Sequence, residues 1–117
     1  MKLYNPITPD IVTELKSIVG EKYCFIDDEK RVIYSSDETP DSKYACLPEA
    51  VVLPATTEQI SRVVKLANRA NFAVVPRGAG TGLACGAVPI GGGVVLSLER
   101  FDQIIEVNAT AMYMTVQ

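Results

Sequence analysis

A glycine-rich stretch between Gly78 and Gly93 constrains the fold of this chain more than any other feature. It holds seven of the eight glycines, and no charged residue occurs from Gly78 to Leu98. Glycine loses more backbone freedom on folding than other residues, so a cluster indicates positive φ angles or the close approach of another group. Successive N–H groups in such a turn can surround an anion, typically a phosphate. A membrane-spanning helix is disfavoured by Pro89 and by the glycines themselves. The stretch therefore predicts a ligand-binding loop.

The composition is that of a globular domain and argues against several classes of function. The 117 residues fit one domain, which would bury about two-thirds of the surface of the unfolded chain. A net charge of −3 gives no electrostatic reason to expect nucleic acid or an anionic membrane as a partner. With no histidine and no metal-ligand spacing among three cysteines, we expect neither a metal site nor a histidine-based triad. Residues 1–6 lack the apolar core of a signal peptide, so we expect a cytoplasmic location. No transmembrane segment is expected either, since the long uncharged stretch is interrupted by Pro89 and glycines.

Two helices are predicted from their end signals. Thr8 is a typical N-cap residue, an apolar stripe at helical spacing follows it, and Gly20 ends the pattern. The second helix begins after Thr56, which forms a capping-box pattern with Gln59, and it ends at Asn71 in a left-handed conformation.

The strands are predicted from short apolar runs, and residues 27–30 and 35–43 are predicted to be a charged turn and a polar loop. The predicted strands are residues 23–26, 31–34, 50–54, 72–76, 94–98, 104–107 and 112–116. The strands 50–54 and 72–76, with the helix between them, are long enough for a right-handed βαβ unit with parallel strands. The glycine-rich loop then leaves the carboxyl end of a parallel strand, where open α/β sheets bind ligands. The last two strands are expected to be antiparallel, and because the pattern stops within a strand at Gln117, we expect a longer protein.

The spacing of the glycines leaves the type of ligand loop open. Residues 80–85 approach the Rossmann fingerprint, and Glu99 follows at the end of the next strand. However, Cys85 replaces the third glycine, and residues 83–93 leave no room for a crossover helix. No lysine follows the glycines, so the pattern is not that of a P-loop. A dinucleotide or phosphate site and a purely structural glycine loop both remain, and an NAD-binding Rossmann protein is a weaker third alternative.

Three segments together resemble a known family. Residues 76–82, with the sequence PRGAGTG, resemble the pyrophosphate loop of the FAD-linked oxidases of the vanillyl-alcohol oxidase and p-cresol methylhydroxylase superfamily. Residues 48–54 and 96–105 agree with the branch of the glycolate oxidase subunit and the flavin-linked D-lactate dehydrogenases. The resemblance covers residues 8–117. It implies an α+β fold with a βαβ core, in which a small mixed sheet with parallel strands is flanked by helices. Residues 1–47 would be an N-terminal helix and lead-in, and residues 48–117 the first, incomplete part of the FAD-binding domain.

The resemblance also implies a set of cofactor-binding residues. They are Pro54, Pro76, Arg77, Gly78, Ala79, Gly80, Thr81, Gly82, Gly86 and Ala87. The N–H groups of residues 78–82 would face the FAD pyrophosphate, and Thr81 would add a hydroxyl. Gly86 and Ala87 would lie along the flavin or the ribityl chain, and Pro54 close to the dinucleotide at the neighbouring strand end.

The remaining positions refine this expectation. Pro76 and Arg77 would lead into the turn, and the alternative for Arg77 is a salt bridge that holds the loop. Thr81 stands where some members carry a histidine linked to FAD, so noncovalent binding is expected. Cys85 is expected to be a packed small side chain, because its thiolate would have no cationic support.

The implied function is the oxidation of a small 2-hydroxy acid, of the D-lactate or glycolate type, by hydride transfer to FAD. No residue of this chain is predicted to be catalytic or to bind a metal; such groups, and the substrate domain, would lie beyond Gln117. Electrons would pass to another acceptor or to a partner subunit. The alternative from a different class is a non-catalytic module that binds nucleotide or is purely structural, and the 117 residues alone are expected to be inactive.

Overall fold

A computed structural model describes residues 3–117 of the chain, without the side chain of Ser42. Its helices are α1 (Pro9–Val19), the single turn α2 (Asp28–Arg31) and α3 (Thr57–Ala70). Its strands are β1 (Cys24–Phe25), β2 (Ala50–Val52), β3 (Val74–Arg77), β4 (Val94–Ser97), β5 (Ile104–Asn108) and β6 (Tyr113–Val116). Short 3₁₀ turns cover Glu21–Tyr23, Val32–Tyr34 and Ser42–Tyr44. Among residues 3–117, no helix is long and apolar enough to cross a membrane.

A four-stranded mixed sheet in the order β1-β2-β4-β3 forms the centre of the fold. Strands β2, β4 and β3 are parallel, and β1 pairs with β2 in the antiparallel direction. The predicted mixed sheet with parallel strands is therefore confirmed. The strands β2 and β3 are parallel as expected, but β4 lies between them. All residues of β2 and β4 are buried, as is typical of parallel strands that are covered on both faces.

Alternating residues of the central strands form two apolar layers. On one face, Ala50, Val52, Val94 and Leu96 pack with residues of α1 and α3. On the opposite face, Val51 and Val95 pack with Tyr34, which comes from the 3₁₀ turn after α2. Tyr34 is thus placed beneath the sheet, close to the carboxyl ends of its strands.

The predicted ends of the two long helices are confirmed. The Thr8 hydroxyl accepts a hydrogen bond from the backbone N–H of Ile11, and Gly20 ends α1 with φ +98°. The Thr56 hydroxyl accepts from Gln59 N at 3.2 Å, and Asn71 ends α3 in the left-handed region with φ +55°.

The segment between β1 and β2 differs from the prediction. The predicted strand 31–34 is wrong, because the predicted turn 27–30 continues as α2 and the chain then forms the 3₁₀ turn Val32–Tyr34. Acidic residues at the start of α2 and basic residues at its end match the helix dipole. The Arg31 guanidinium also donates to Pro48 O at 2.7 Å, which fixes the turn against the chain before β2. The predicted strand 23–26 is shortened to Cys24–Phe25, and the polar loop contains the turn Ser42–Tyr44.

The last two predicted strands are present as an antiparallel hairpin. Strand β5 pairs with β6 in a separate two-stranded sheet, and the register has an irregularity between Ile104 and Glu106. Nearly all side chains of both strands are exposed, including Val107 and Met114.

Candidate functional site

The glycine-rich loop begins at the carboxyl edge of the parallel strands, as predicted. Strand β3 ends at Arg77, whose carbonyl accepts a hydrogen bond from Leu98 N at 2.9 Å, so the ends of β3 and β4 are held together. A cleft of about 490 Å³ lies at this edge. Its lining residues are Ile60, Gly78, Ala79, Leu98, Glu99, Phe101 and Gln117. Open α/β sheets bind ligands at this position.

Three glycines of the stretch are required by the fold of the chain itself. Gly80, Gly92 and Gly93 have φ angles between +71° and +76°, a region that favours glycine. A Cβ on Gly80 would overlap the guanidinium of Arg77, and a Cβ on Gly93 would overlap the carbonyl of Ala73.

Four other glycines, Gly78, Gly82, Gly86 and Gly91, have no such internal requirement, and Gly91 lies at a different cleft from the one at this edge. Gly78, Gly82 and Gly86 have no positive φ angle, and a Cβ on Gly78 or Gly86 would meet no atom within 4 Å. A Cβ on Gly82 would meet its nearest atom, Asp37 Oδ2, at an ordinary 3.7 Å. The space above Gly78 and Gly86 is open, and Gly78, Gly82 and Gly86 are all exposed. This backbone fits a ligand that approaches closer than a side chain would allow.

Arg77 secures the loop from below. Its Nη1 donates to Ser36 O at 2.7 Å and its Nη2 to Ile33 O at 3.4 Å, while the guanidinium lies 5.6 Å from the centre of the Tyr34 ring. The structural role weighed for Arg77 is therefore present, with backbone carbonyls in place of the expected carboxylate.

The polar segment 37–39 contacts the glycine-rich loop through two hydrogen bonds. Glu38 N donates to Gly82 O at 3.0 Å, and Cys85 N donates to the Thr39 hydroxyl at 3.1 Å. Hydrogen bonds from the hydroxyl and then the backbone N–H of Thr39 lower the pKa of Asp37. From the sequence, this segment was predicted only to be part of a polar loop. The Asp-x-Thr pattern, which favours a local turn, was the signal available for it.

Cys85 occupies the left-handed region with φ +59°. Glycine adopts this conformation without strain, so cysteine carries a backbone cost here that glycine would not. Its side chain is half-buried beside Thr39.

The carboxylate of Glu99, which follows β4, contacts Tyr34 in the apolar layer beneath the sheet. Glu99 Oε1 accepts hydrogen bonds from the Tyr34 hydroxyl and from Ser97 Oγ, each at 2.8 Å. Burial, and then the hydrogen bond to Glu99, raise the pKa of Tyr34 to about 12. From the sequence, Glu99 was a candidate only as the acidic residue of the Rossmann alternative, and no spacing connects it with Tyr34.

The ten predicted cofactor-binding residues do not all lie in the cleft. Gly78 and Ala79 line it, whereas Pro54 is fully buried after β2. The other exposed members are Pro76, Thr81, Gly82 and Gly86. Gly80 is buried, and Arg77 and Ala87 are half-buried.

A second cleft, of about 410 Å³, lies at the amino-terminal edge of β2 and β4 beside Glu49 and Gly92. Both oxygens of the Glu49 carboxylate are used by the fold. They accept hydrogen bonds from Ile7 N at 3.1 Å and from Gly93 N at 2.7 Å. This carboxylate ties the N-terminal segment to the end of the glycine-rich stretch.

A glycine turn with an open backbone at the carboxyl edge of parallel strands defines a nucleotide-binding class of domain. The family model described as an FAD binding domain matches residues 48–117, and the chain belongs to this family. The family and the cofactor FAD, which the resemblance of residues 48–54, 76–82 and 96–105 implied, are confirmed.

Relatives with assigned names extend the match to most of the chain. The glycolate oxidase subunit GlcD of Bacillus subtilis (strain 168) is 35% identical over 111 residues, which are 95% of this chain and 23% of the relative. A D-lactate dehydrogenase of Anaerostipes hadrus is 39% identical over 102 residues, or 87% of this chain and 21% of the relative. The chain therefore spans less than a quarter of the length of these relatives.

Solved structures share the fold at low sequence identity. A 4-ethylphenol oxidase from Gulosibacter chungangensis superposes with a TM-score of 0.79 at 23% identity, covering 97% of this chain and 23% of the oxidase. A p-cresol methylhydroxylase gives a TM-score of 0.75 at 24% identity, covering 90% of this chain and 22% of that chain. The predicted fold class is thereby confirmed.

Proposed function

We propose that this chain forms the pyrophosphate-binding part of the FAD site in a flavin-dependent oxidoreductase that oxidises a small 2-hydroxy acid. The observation that carries the proposal is the open backbone at Gly78 and Gly86, where the fold of the chain does not require glycine. The 2-hydroxy acid is supported by the relatives, which are named as a glycolate oxidase subunit, a D-lactate dehydrogenase and a D-2-hydroxyglutarate dehydrogenase. D-Lactate and glycolate are the substrates we favour.

FAD, when bound, supplies the acceptor for the hydride that leaves the α-carbon of the substrate. The chain's own part is to bind and orient it. The N–H groups of residues 78–82 would donate to the phosphates, with the exposed hydroxyl of Thr81 beside them. Gly86 and Ala87 would lie along the flavin or the ribityl chain. Because position 81 is threonine, the proposed binding is noncovalent.

Arg77 and Pro54 contribute indirectly in this proposal. The guanidinium of Arg77 is directed to backbone carbonyls below the loop, so it would hold the turn in shape for the phosphates. Pro54 is fully buried and would support the neighbouring strand end from within. No residue of the chain is assigned a catalytic role.

We also propose how the whole protein is organised, which partner it has and where it is located. Residues 48–117 would be the first part of the FAD-binding domain, and residues 1–47 a lead-in helix and its connection. The substrate would be held by a further domain, as the small share of the relatives that this chain covers suggests. A partner subunit that accepts electrons is supported by the relative named as a subunit. Three free cysteines are compatible with a reducing, cytoplasmic location.

The proposal is tested on the longest form of the protein that its reading frame encodes. The purified protein should show a visible flavin spectrum, and acid precipitation should release the colour into the supernatant. Colour that remains in the pellet would contradict noncovalent binding. No colour after incubation with FAD would overturn the proposal.

The substrate class is tested by anaerobic addition of D-lactate, glycolate or D-2-hydroxyglutarate to the coloured protein. Loss of flavin absorbance with one of these acids, and no change with the matching L-enantiomer where one exists, is the expected result. A coloured protein that none of them bleaches would instead be a flavin-binding module without this activity.

A further inference from the structure

Glu99 presents a carboxylate whose orientation is fixed from behind. Its Oε1 accepts two hydrogen bonds of 2.8 Å, from the Tyr34 hydroxyl and from Ser97 Oγ. Both donors are buried, Tyr34 to 6% and Ser97 to 0% exposure, and they come from elements 63 residues apart in the chain, the 3₁₀ turn after α2 and strand β4. Glu99 itself is exposed and lines the 490 Å³ cleft. One face of the carboxylate is therefore anchored, and the other is available to the cleft.

Among residues 3–117 no salt bridge involves Glu99, and Arg77 and Arg100 direct their guanidinium groups to other partners. Arg77 directs its guanidinium to the carbonyls of Ser36 and Ile33. Arg100 donates to Leu53 O at 3.1 Å and stacks on the Tyr23 ring, 3.6 Å from its centre. The two groups that do contact Glu99 Oε1 are neutral hydroxyls, which orient a carboxylate without cancelling its charge.

The surroundings of Glu99 let its charge distinguish between a phosphate and a hydroxyl of a ligand in the cleft. The other residues that line it are the apolar Ile60, Leu98 and Phe101, together with Gln117 and with Gly78 and Ala79 of the loop. A phosphate beside Glu99 would be repelled by its charge. A hydroxyl would instead donate a charge-assisted hydrogen bond, which is stronger than one between neutral groups.

We propose that Glu99 is a specificity-determining residue that accepts a hydrogen bond from a sugar hydroxyl of the dinucleotide and keeps the phosphates on the side of the Gly80 turn. This inference rests on the proposed FAD site and adds to it a recognition element outside the glycine turn. The hydroxyl belongs to the ribose or to the ribityl chain, which share this chemistry. Tyr34 and Ser97 act through Glu99 and are positioning residues.

The test compares Glu99→Gln with the unchanged protein, again in the longest encoded form. The Tyr34 and Ser97 hydroxyls donate to the side-chain oxygen, so the amide NH₂ of glutamine would face the cleft and could not accept a hydrogen bond. The dissociation constant of FAD, followed by flavin fluorescence, is expected to rise roughly ten-fold. Inorganic pyrophosphate, measured as a competitor of FAD, is expected to bind more tightly, because a like charge has been removed.

The predicted changes in the affinities for FAD and for pyrophosphate have opposite signs. A loss of structure would instead weaken the binding of both. Glu106→Gln is the matched control, since Glu106 also accepts a tyrosine hydroxyl, that of Tyr113 at 3.2 Å, but lies on β5 outside the cleft. It should change neither affinity. ADP and FMN tested as fragments identify the half of FAD concerned, as the one whose binding weakens in Glu99→Gln.

Two results would overturn the inference alone: an FAD affinity that Glu99→Gln leaves unchanged, or a parallel loss of FAD and pyrophosphate binding. Absence of FAD binding in the unchanged protein would instead overturn the proposed function, and this inference with it.

Discussion

Replacement of Gly80 with alanine tests whether some glycines of the loop are required by the fold and others by a ligand. Gly80 has φ +72°, and alanine in this region costs roughly 1–2 kcal/mol. The added Cβ would also overlap the Arg77 guanidinium, which must then leave its 2.7 Å hydrogen bond to Ser36 O. Loss of a hydrogen bond made by a charged group costs about 1.5–3 kcal/mol. Because Arg77 is half-buried, we take the lower part of the sum and expect a loss of roughly 2.5–4 kcal/mol.

Gly78→Ala is the internal comparison, because it makes the same chemical change two residues away. Gly78 has no positive φ, and its Cβ would meet no atom within 4 Å. Its free energy of unfolding should therefore stay within about 0.5 kcal/mol of the unchanged protein. Urea unfolding followed by circular dichroism measures both variants. Equal losses, or a larger loss for Gly78→Ala, would refute the assignment of Gly80 to the fold and Gly78 to the ligand.

Three further predictions follow from buried groups. The Tyr34 pKa of about 12 lies above the ordinary value of 10.0, so the neutral hydroxyl stabilises the folded state fully below pH 10. This stabilisation is lost as the pH rises through about 12. Tyrosinate absorbance should show one late-titrating tyrosine, which Tyr34→Phe removes. Burial raises the pKa of Cys24 to about 11, so a thiol reagent should modify the half-buried Cys46 and Cys85 in the native protein and Cys24 only after unfolding, whereas rapid reaction of all three would contradict its burial. Gly93→Ala combines φ +76° with an overlap of the Ala73 carbonyl, so it should destabilise the protein at least as much as Gly80→Ala, and normal urea unfolding of this variant would show that the strand ends can shift.

Local signals predicted much of the secondary structure. Thr8, Gly20, Thr56 and Asn71 act through backbone groups within a few residues of themselves, so their roles can be inferred from sequence alone. The segment 31–34 could not be predicted in this way. Its apolar residues suggested a strand, but Val32 and Ile33 are 56% and 66% exposed, and only the third apolar side chain of the segment, Tyr34, is buried against the sheet.

The site shows the same division between local and distant causes. The glycine cluster, its position after a parallel strand and its FAD chemistry were predictable, because they rest on composition, strand order and a family motif. The separate roles of the glycines were not, since Gly80 depends on where the Arg77 guanidinium lies and Gly93 on the carbonyl of Ala73. The hydrogen bond between Tyr34 and Glu99 joins residues 65 positions apart, and no spacing in the sequence predicts it.

The order of the strands also required the structure. The predicted βαβ unit contains two parallel strands, but β4 lies between β2 and β3 and pairs with both. This insertion brings Leu98 and Glu99 next to Gly78, and it thereby creates the cleft at the carboxyl edge.

The most direct test of the central claim is a titration with FAD of the unchanged protein and of Gly78→Ala, in the longest encoded form. The claim is that the open backbone at Gly78 is occupied by the cofactor. We predict saturable binding to the unchanged protein and an affinity at least roughly ten-fold lower for Gly78→Ala at unchanged stability, because the added methyl group would occupy the space of the ligand. Equal affinities for the two proteins, or no binding to the unchanged protein, would contradict the claim.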